Sequence, residues 1–277
     1  MNKIPLLLLF LCAVLTAPAQ DTEIGISGGI ATYSGDLSPS EFGIFLEEMG
    51  PAFGAFSRFN VSKWISFRLG LNYASVSGDE SLKNPTRGLS FRSSIVEGGL
   101  QAELNFLRFG DPNYFLTALY LTGGLNVFYF NPQGPKEDEW IDLQPLGTEG
   151  QGLQGNGSPY SRLQFNLPFG GGIKFVFNDL FTIGTEFAFR KLFTDYLDDI
   201  SGREVDYQEV LQGNGPMAAF FSNPTINDTD ADLTYRRGGQ FDDWLFMGLV
   251  TLSYRIVGKE SVFKTGWTRE GIYCPRF

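Results

Sequence analysis

Acidic side chains are the groups in this 277-residue chain that could do chemistry, because the sequence contains no histidine. Without histidine neither a Ser-His-Asp triad nor a Cys-His pair can form, and the commonest transition-metal ligand is missing. Acidic residues cluster at 137–139, 195–199 and 242–243. None of these clusters contains an ordered acid–base pair. We therefore predict that the protein is not an enzyme, with no catalytic residue, no cofactor and no small-molecule substrate.

A fourth acidic run, Asp228 to Asp232, has aspartates at the first three ligand positions of a calcium-binding loop. Leu233 stands where that loop needs a glycine, and Gly239 stands where it needs a bidentate glutamate. The two interpretations are an incidental calcium contact and a plain solvated loop. The missing glycine and glutamate favour the solvated loop, so we predict no metal site.

A second group of charged residues alternates with apolar residues, so that β-strands would turn all of them to one face. The group comprises Arg58, Arg68, Lys174, Arg190 and Arg255 with Glu97, Glu103 and Glu186. If this face lines a narrow barrel, the side chains must pair into a closed network, because unpaired buried charges are costly. Such a network is a structural plug; a small ion pathway is the alternative.

The segment from Tyr160 to Thr194 indicates which elements position those charges. Its apolar residues alternate with polar ones, and the pattern restarts after the pair Asn178-Asp179. A period of two over this length predicts two long strands joined by a tight turn. The apolar side is continuous and aromatic, which is typical of a barrel wall with lipid outside. Pro168 and glycines 170–172 are unusual in a strand, so we expect a β-bulge or kink there.

Six further alternating segments complete the prediction of an all-β fold, an eight-stranded antiparallel transmembrane β-barrel. The predicted strands cover residues 23–33, 51–60, 64–76, 93–109, 114–130, the two strands of the hairpin, and 242–257. Long and short connections alternate, so we expect four long extracellular loops, short turns in the periplasm, and both termini in the periplasm. The interior of an eight-stranded barrel is just wide enough to be filled by its own side chains.

The amino terminus predicts the compartment. Residues 1–19 contain one early cation, an apolar run too short to span a bilayer, and the small-residue sequence Ala17-Pro18-Ala19. These features are typical of a cleaved secretory signal peptide. Removing it takes Lys3 from a formal charge of −10, so the mature chain carries −11. An acidic chain does not suit nucleic-acid binding. We expect an integral outer-membrane protein whose barrel covers residues 20–257.

The remaining residues, 258–277, form a tail of different composition, with four cations against two glutamates. The tail carries aromatic and arginine residues typical of docking sites together with a cysteine: Phe263, Trp267, Arg269, Tyr273, Cys274, Arg276 and Phe277. A frayed terminus is the alternative, but disordered tails are usually poor in aromatic residues. We therefore predict a periplasmic tail that docks a partner.

Several segments together resemble a known family. They are Y-S-G-D-L (33–37), L-S-F-R-S (89–93), F-N-P-Q (130–133), W-I-D-L-Q-P-L-G-T-E-G-Q-G (140–152), Y-S-R-L-Q-F-N-L-P-F-G-G-G-I-K (160–174), R-K-L-F-T-D-Y-L-D-D (190–199), D-D-W-L-F (242–246) and C-P-R-F (274–277). On these segments the chain resembles the PorG family of Bacteroidetes outer-membrane proteins, which are components of the type IX secretion system.

The resemblance implies an integral barrel that is not itself the large translocation pore. It also implies contact with a periplasmic ring made of the lipoprotein PorK and its companion PorN, and it suggests that Cys274 forms a disulfide with a ring component. The leading expectation is a structural component that anchors this ring to the outer membrane. The alternative is a small stand-alone barrel that acts as a minor solute pore or binds at the cell surface through its loops.

Overall fold

Eight long strands form a closed antiparallel barrel in the computed structural model, which describes residues 22–38, 43–45, 48–80, 88–226, 232–239 and 242–256. The barrel strands are β1 (Thr22–Ser34), β2 (Gly50–Asn60), β3 (Ile65–Asp79), β4 (Ser90–Asp111), β5 (Phe115–Lys136), β6 (Leu163–Phe177), β7 (Phe181–Leu192) and β8 (Trp244–Ile256). Neighbouring strands pair antiparallel and β8 pairs with β1, so the barrel has no free edge. The predicted fold class and strand count are confirmed.

Side chains on each strand alternate between the inside and the outside of the barrel. In β3, for example, Phe67, Leu69 and Leu71 remain exposed on the outer wall, whereas Ser66 and Arg68 are buried inside. All eight barrel strands leave large apolar side chains exposed in this way. The period of two in the sequence therefore separates an apolar outer surface from an interior that contains most of the buried charges.

The two ends of the barrel differ. At one end, here called the turn end, short connections at 61–64, 112–114 and 178–180 join the strands, and β1 begins and β8 ends there. Asn178 and Asp179 have positive φ angles of 48° and 55°, a conformation that these two residue types tolerate in tight hairpin turns. The long connections lie at the opposite end, here called the loop end.

The loop end contains more regular structure than the predicted loops. β4 and β5 continue past the predicted ends, and the short strand Glu139–Asp142 pairs with the extension of β5. A 3-10 turn (Gln144–Leu146) follows it. The last long connection contains α1 (Tyr207–Gly213), α2 (Pro216–Ser222) and the paired strands Glu204–Asp206 and Thr234–Arg236. Within the described ranges no helix is long and apolar enough to cross a membrane.

Of the bulge or kink expected at Pro168, the bulge is wrong. β6 keeps the same register with β5 on both sides of this residue, although pairing is interrupted between Gly123↔Phe169 and Asn126↔Asn166. Pro168 has no backbone N–H to donate, so the hydrogen-bond ladder between β5 and β6 is interrupted there, but neither strand contains an extra residue. The glycines that follow it allow β7 to approach closely, since a Cβ on Gly170 would lie 2.2 Å from the Phe187 carbonyl oxygen. A register shift occurs instead between Asn105 and Leu107 of β4.

Candidate functional site

Five of the charged residues predicted for the interior meet in the half of the barrel nearer the turn end: Arg58, Arg68, Lys174, Glu103 and Glu186. Glu103 of β4 lies at the centre of this lumen network. Its carboxylate contacts Arg58 Nε at 3.0 Å, Lys174 Nζ at 2.8 Å and Arg68 Nη1 at 3.5 Å. These residues come from four different strands, so one buried carboxylate ties opposite sides of the wall together.

A second carboxylate, Glu186 of β7, holds Arg68 from the other side. Both terminal nitrogens of Arg68, Nη1 and Nη2, donate to Glu186, at 2.6 and 2.8 Å, in the bidentate geometry that suits arginine. The Tyr120 hydroxyl also donates to Glu186, at 2.8 Å, and Gln101 accepts from Arg68 at 2.6 Å. The charges at this level of the lumen therefore have partners within the barrel.

A separate ion pair, Arg190 Nη2 with Glu97 Oε1 at 2.8 Å, lies nearer the loop end. Side-chain amides supply the other hydrogen bonds of the Glu97 carboxylate: Asn72, Asn126 and Asn166 each donate to it at 3.0 to 3.1 Å. Arg190 Nη1 has no protein partner. A cavity of about 10 Å³ beside Arg190 is large enough for about one water molecule, and such a water would satisfy Nη1.

One member of the network was missed and one lies elsewhere. Glu23 of β1 is buried and accepts from Arg58 at 2.7 Å, from Ser253 at 2.7 Å and from Asn60 at 2.8 Å. Its alternation with Ile24 and Ile26 was the signal that would have found it. Arg255, predicted for the lumen, lies at the rim of the turn end. It pairs with Asp179 of the tight turn and approaches Glu23 only at 4.0 Å.

An apolar core separates the lumen network from the loop end. It includes Tyr33 and Leu37 near the end of β1, Phe91 of β4, Phe128 and Phe130 of β5, and Leu245 of β8. Tyr160 stacks between Phe130 and Tyr196, with ring centroids 6.0 and 4.3 Å away. The core fills the upper interior of the barrel, and the loop-end segments pack on it.

Above this core a buried cation, Arg237, joins three loop-end segments. It donates to Thr148 Oγ1 at 2.8 Å, to the Asp199 carbonyl oxygen at 2.7 Å and to the Phe221 carbonyl oxygen at 3.1 Å. It also forms ion pairs with Glu149 at 3.5 Å and Asp199 at 3.6 Å. Burial raises the pKa of both carboxyl groups, and the positive charge of Arg237 opposes that rise.

Four further acidic residues, here called the loop-end carboxylates, lie near one another: Asp36 and Asp195, which are half-buried, and Asp198 and Asp243, which are buried. Backbone amides of Gly239, Ile200 and Leu197 donate to Asp36, Asp198 and Asp243 respectively, at 2.7 to 2.9 Å. The acidic clusters 195–199 and 242–243, separate in sequence, are therefore neighbours here. In the part of the chain that the structure describes, no three acidic side chains are arranged to hold a metal ion.

The other predicted site residues lie outside the described residues. These are the seven docking residues of the tail, the signal segment and most of the acidic run 228–232. The acidic cluster 137–139 lies at the turn between β5 and the short strand that pairs with its extension, and it is largely exposed. Sequence reasoning missed the loop-end residues Tyr33, Asp36, Thr148, Glu149 and Arg237.

A family model described as "Domain of unknown function (DUF6089)" matches residues 2–241. The chain belongs to this family. A search of curated proteins returned no match.

Several solved β-barrel structures are similar to this member of the family. The attachment invasion locus protein Ail of Yersinia pestis, solved with the heparin analogue sucrose octasulfate, is 12% identical, with a TM-score of 0.40 over 86% of this chain and 100% of that chain. Neisserial surface protein A is 7% identical, with a TM-score of 0.39 over 85% and 97%. The N-terminal β-barrel domain of Pseudomonas aeruginosa OprF is 9% identical, with a TM-score of 0.34 over 86% and 98%.

Proposed function

We propose that the protein is an integral outer-membrane β-barrel that anchors a secretion assembly of the type IX kind through its periplasmic face. The observation that carries the proposal is the outer wall, on which large apolar side chains stay exposed on all eight strands. Soluble monomers rarely expose continuous apolar patches larger than a few hundred Å². Lipid around the wall removes that cost, and a closed barrel leaves no backbone group unpaired at an edge.

The lengths of the connections support an orientation in the membrane. Barrels of the outer membrane have short turns in the periplasm and long loops outside the cell. In this proposal the turn end therefore faces the periplasm and the loop end faces outward. The tail, residues 258–277, follows β8 at the turn end and would extend into the periplasm, where partners resembling PorK and PorN form the ring.

An anchoring role, rather than transport or catalysis, is supported by the filled interior. The lumen network and the apolar core above it occupy the barrel, and the cavity beside Arg190 holds about 10 Å³. A passage for solutes would need a continuous wet path. The type IX assignment itself is supported by the sequence segments that resemble the PorG family, and three of these segments supply the loop-end carboxylates.

Deleting residues 258–277 tests the anchoring role. The full-length and tail-less proteins are expressed in cells that lack the native copy, and partners are recovered from detergent-solubilised membranes. We expect both proteins to insert, which heat-modifiable electrophoretic mobility reports, and only the full-length protein to recover ring proteins and support secretion. A tail-less barrel that inserts and secretes normally would contradict the docking role but leave the membrane location intact.

Two narrower measurements complete the test. Planar-bilayer recordings of the purified barrel should show no large steady conductance; such a conductance would favour the solute-pore alternative. A Cys274→Ser variant should lose any heavier adduct seen on non-reducing gels. An unchanged adduct pattern would eliminate the proposed disulfide without affecting the docking proposal.

A further inference from the structure

The loop-end carboxylates place like charges in a buried region. The side chains of Asp198 and Asp243 are 1% and 0% exposed. Among the described residues no ion pair involves Asp195, Asp198 or Asp243. Arg237, the buried cation of the loop end, is bonded to Thr148, Glu149 and Asp199. Several ionised carboxylates together in such a place are costly, so part of this charge must be neutralised.

The hydrogen bonds of the two most buried carboxyl groups differ. Asp198 uses both oxygens, since Oδ1 accepts from the Ile200 amide at 2.9 Å and Oδ2 accepts from the Tyr33 hydroxyl at 2.5 Å. Asp243 uses only Oδ2, which accepts from the Leu197 amide at 2.9 Å. Its Oδ1 is buried and has no partner. An ionised carboxylate can only accept hydrogen bonds, whereas a protonated one can also donate.

Gly35 shows what Asp243 Oδ1 faces. A Cβ built on this glycine would lie 2.1 Å from Asp243 Oδ1 and 2.2 Å from the Tyr33 hydroxyl oxygen. Both oxygens therefore lie beside the same point, which only glycine leaves open, and no hydrogen bond joins them in this rotamer of Asp243. Tyr33 donates its own proton to Asp198, and its oxygen accepts from the Leu37 amide at 3.5 Å. A hydroxyl oxygen has two acceptor lone pairs, so it can accept one further hydrogen bond.

We propose that Asp243 carries a proton on Oδ1 at neutral pH and, after a small rotation of its carboxyl group, donates it to Tyr33, which in turn donates to Asp198. This carboxyl–tyrosine–carboxylate latch would connect the end of β1, the segment after β7 and the segment before β8. It would hold these segments together over the apolar core. When Asp243 loses its proton to solvent, the latch is broken and like charges face each other.

The carboxylates around the latch all favour the protonated form of Asp243 and Asp198. Asp36 follows β1, Asp195 lies on the segment after β7, and both add negative charge near Asp198 and Asp243. Asp242 and Glu149 add negative charge near Asp195. Burial first, and these carboxylates second, raise the pKa of Asp198 and Asp243 well above the usual range. The folded loop end therefore binds protons that the unfolded segment has released, and the latch weakens as pH rises.

Infrared spectroscopy of the full mature protein in detergent micelles tests the proton directly. At pH 7 we expect a carboxylic-acid C=O band that Asp243→Asn removes or reduces. The control is Asp242→Asn, which changes the neighbouring residue, an aspartate that pairs with Lys191 at 3.1 Å; it should keep the band. If the wild type shows no such band at pH 7, or if Asp243→Asn leaves the band unchanged, the proposal is wrong.

The mechanical role is tested by hydrogen exchange of peptides from residues 194–201, corrected for the intrinsic effect of pH. Protection in the wild type should fall as pH rises through the alkaline range. Asp243→Asn, which keeps a donor in place, should stay protected there, whereas Asp243→Ala should lose protection at every pH. Lower protection in Asp243→Asn than in the wild type at pH 7 would overturn the latch. So would a loss of protection on calcium chelation, because a cation would then be the neutralising partner.

Discussion

The lumen network and the loop-end carboxylates both contain buried charged groups, but they balance charge differently. In the lumen, buried cations and anions are present in equal number, and Glu103 alone contacts three cations. At the loop end, acidic residues outnumber the buried cation Arg237, and several of them face one another. The first group is neutral by composition. The second becomes neutral only by taking up protons, as proposed for Asp243.

This difference has a mechanical consequence. A network balanced by its own residues keeps its hydrogen bonds over a wide range of conditions, which suits the permanent wall of a barrel. A group balanced by protons from the solvent changes its bonding when the medium changes, which suits segments that meet the environment. Each region should therefore respond to a different kind of mutation, and the following predictions test this separation.

The largest effect is expected for Glu103→Gln in the lumen network. The substitution leaves Arg58, Arg68 and Lys174 without their shared anion, and breaking a buried ion pair by removing one partner costs about 3–5 kcal/mol. The free energy of unfolding, measured in urea by heat-modifiable mobility in detergent micelles, should fall by about that amount. Glu139→Gln on the exposed short strand is the control and should change little. An unchanged midpoint for Glu103→Gln would show that the lumen is wetter than its packing indicates.

Arg190→Met is expected to destabilise the barrel by about 3 kcal/mol, because the buried Glu97 charge then rests on amide donors alone. Adding Glu97→Gln should restore about 1–3 kcal/mol, since the second change removes the unpaired charge. The same urea titration of both single variants and the double variant gives the coupling energy. Strictly additive effects would mean that the pair does not act as a unit.

Gly35→Ala addresses the loop end. A methyl group there would collide with Asp243 Oδ1 and the Tyr33 hydroxyl, and overpacking of this kind typically costs about 1–3 kcal/mol. Protease protection of the segment after β7 should fall, while the urea midpoint of the barrel stays the same. Gly28→Ala is the matched control on β1, because its nearest neighbour would be Phe53 Cδ1 at 3.8 Å. Parallel loss of barrel stability would show that the two regions are one cooperative unit.

The barrel could be predicted from the sequence because the alternation of polar and apolar residues that defines each strand involves neighbouring residues only. A period of two reports the inner and outer faces of a strand, so the positions of Glu103, Glu186 and Arg190 followed from their own neighbours. The strand ends were less accurate. Apolar alternation stops where the outer face becomes polar, yet the backbone ladder of β4 and β5 continues there, with Arg92 opposite Gln133.

The loop end could not be predicted because its contacts join distant positions. The bond from Tyr33 to Asp198 spans 165 residues and that from Arg237 to Thr148 spans 89. No spacing rule reports such pairs in a single sequence. The motifs Y-S-G-D-L, R-K-L-F-T-D-Y-L-D-D and D-D-W-L-F are nevertheless specific, and the structure explains their meeting place, since each supplies at least one loop-end carboxylate.

The measurement that best separates the two kinds of carboxyl group is the pH response of Asp195. Burial, followed by the charge of Asp36, raises the pKa of Asp195 to about 8, against about 3.9 in an unfolded chain. The folded loop end therefore holds a proton that the unfolded segment releases, so its stability falls as pH rises from about 4 to about 8. Asp195→Asn cannot ionise and should flatten this slope in protease protection.

Asp142 at the same end is the opposite case, because hydrogen bonds from Gln133, and then from Asn131, lower its pKa. Its contribution is present at neutral pH and is lost as pH falls through the lowered value, so Asp142→Asn should weaken the loop end slightly at pH 7. If Asp195→Asn and Asp142→Asn changed the stability of the loop end in the same direction at pH 8, general charge repulsion would govern the loop end, and not the hydrogen bonds and burial of each carboxyl group.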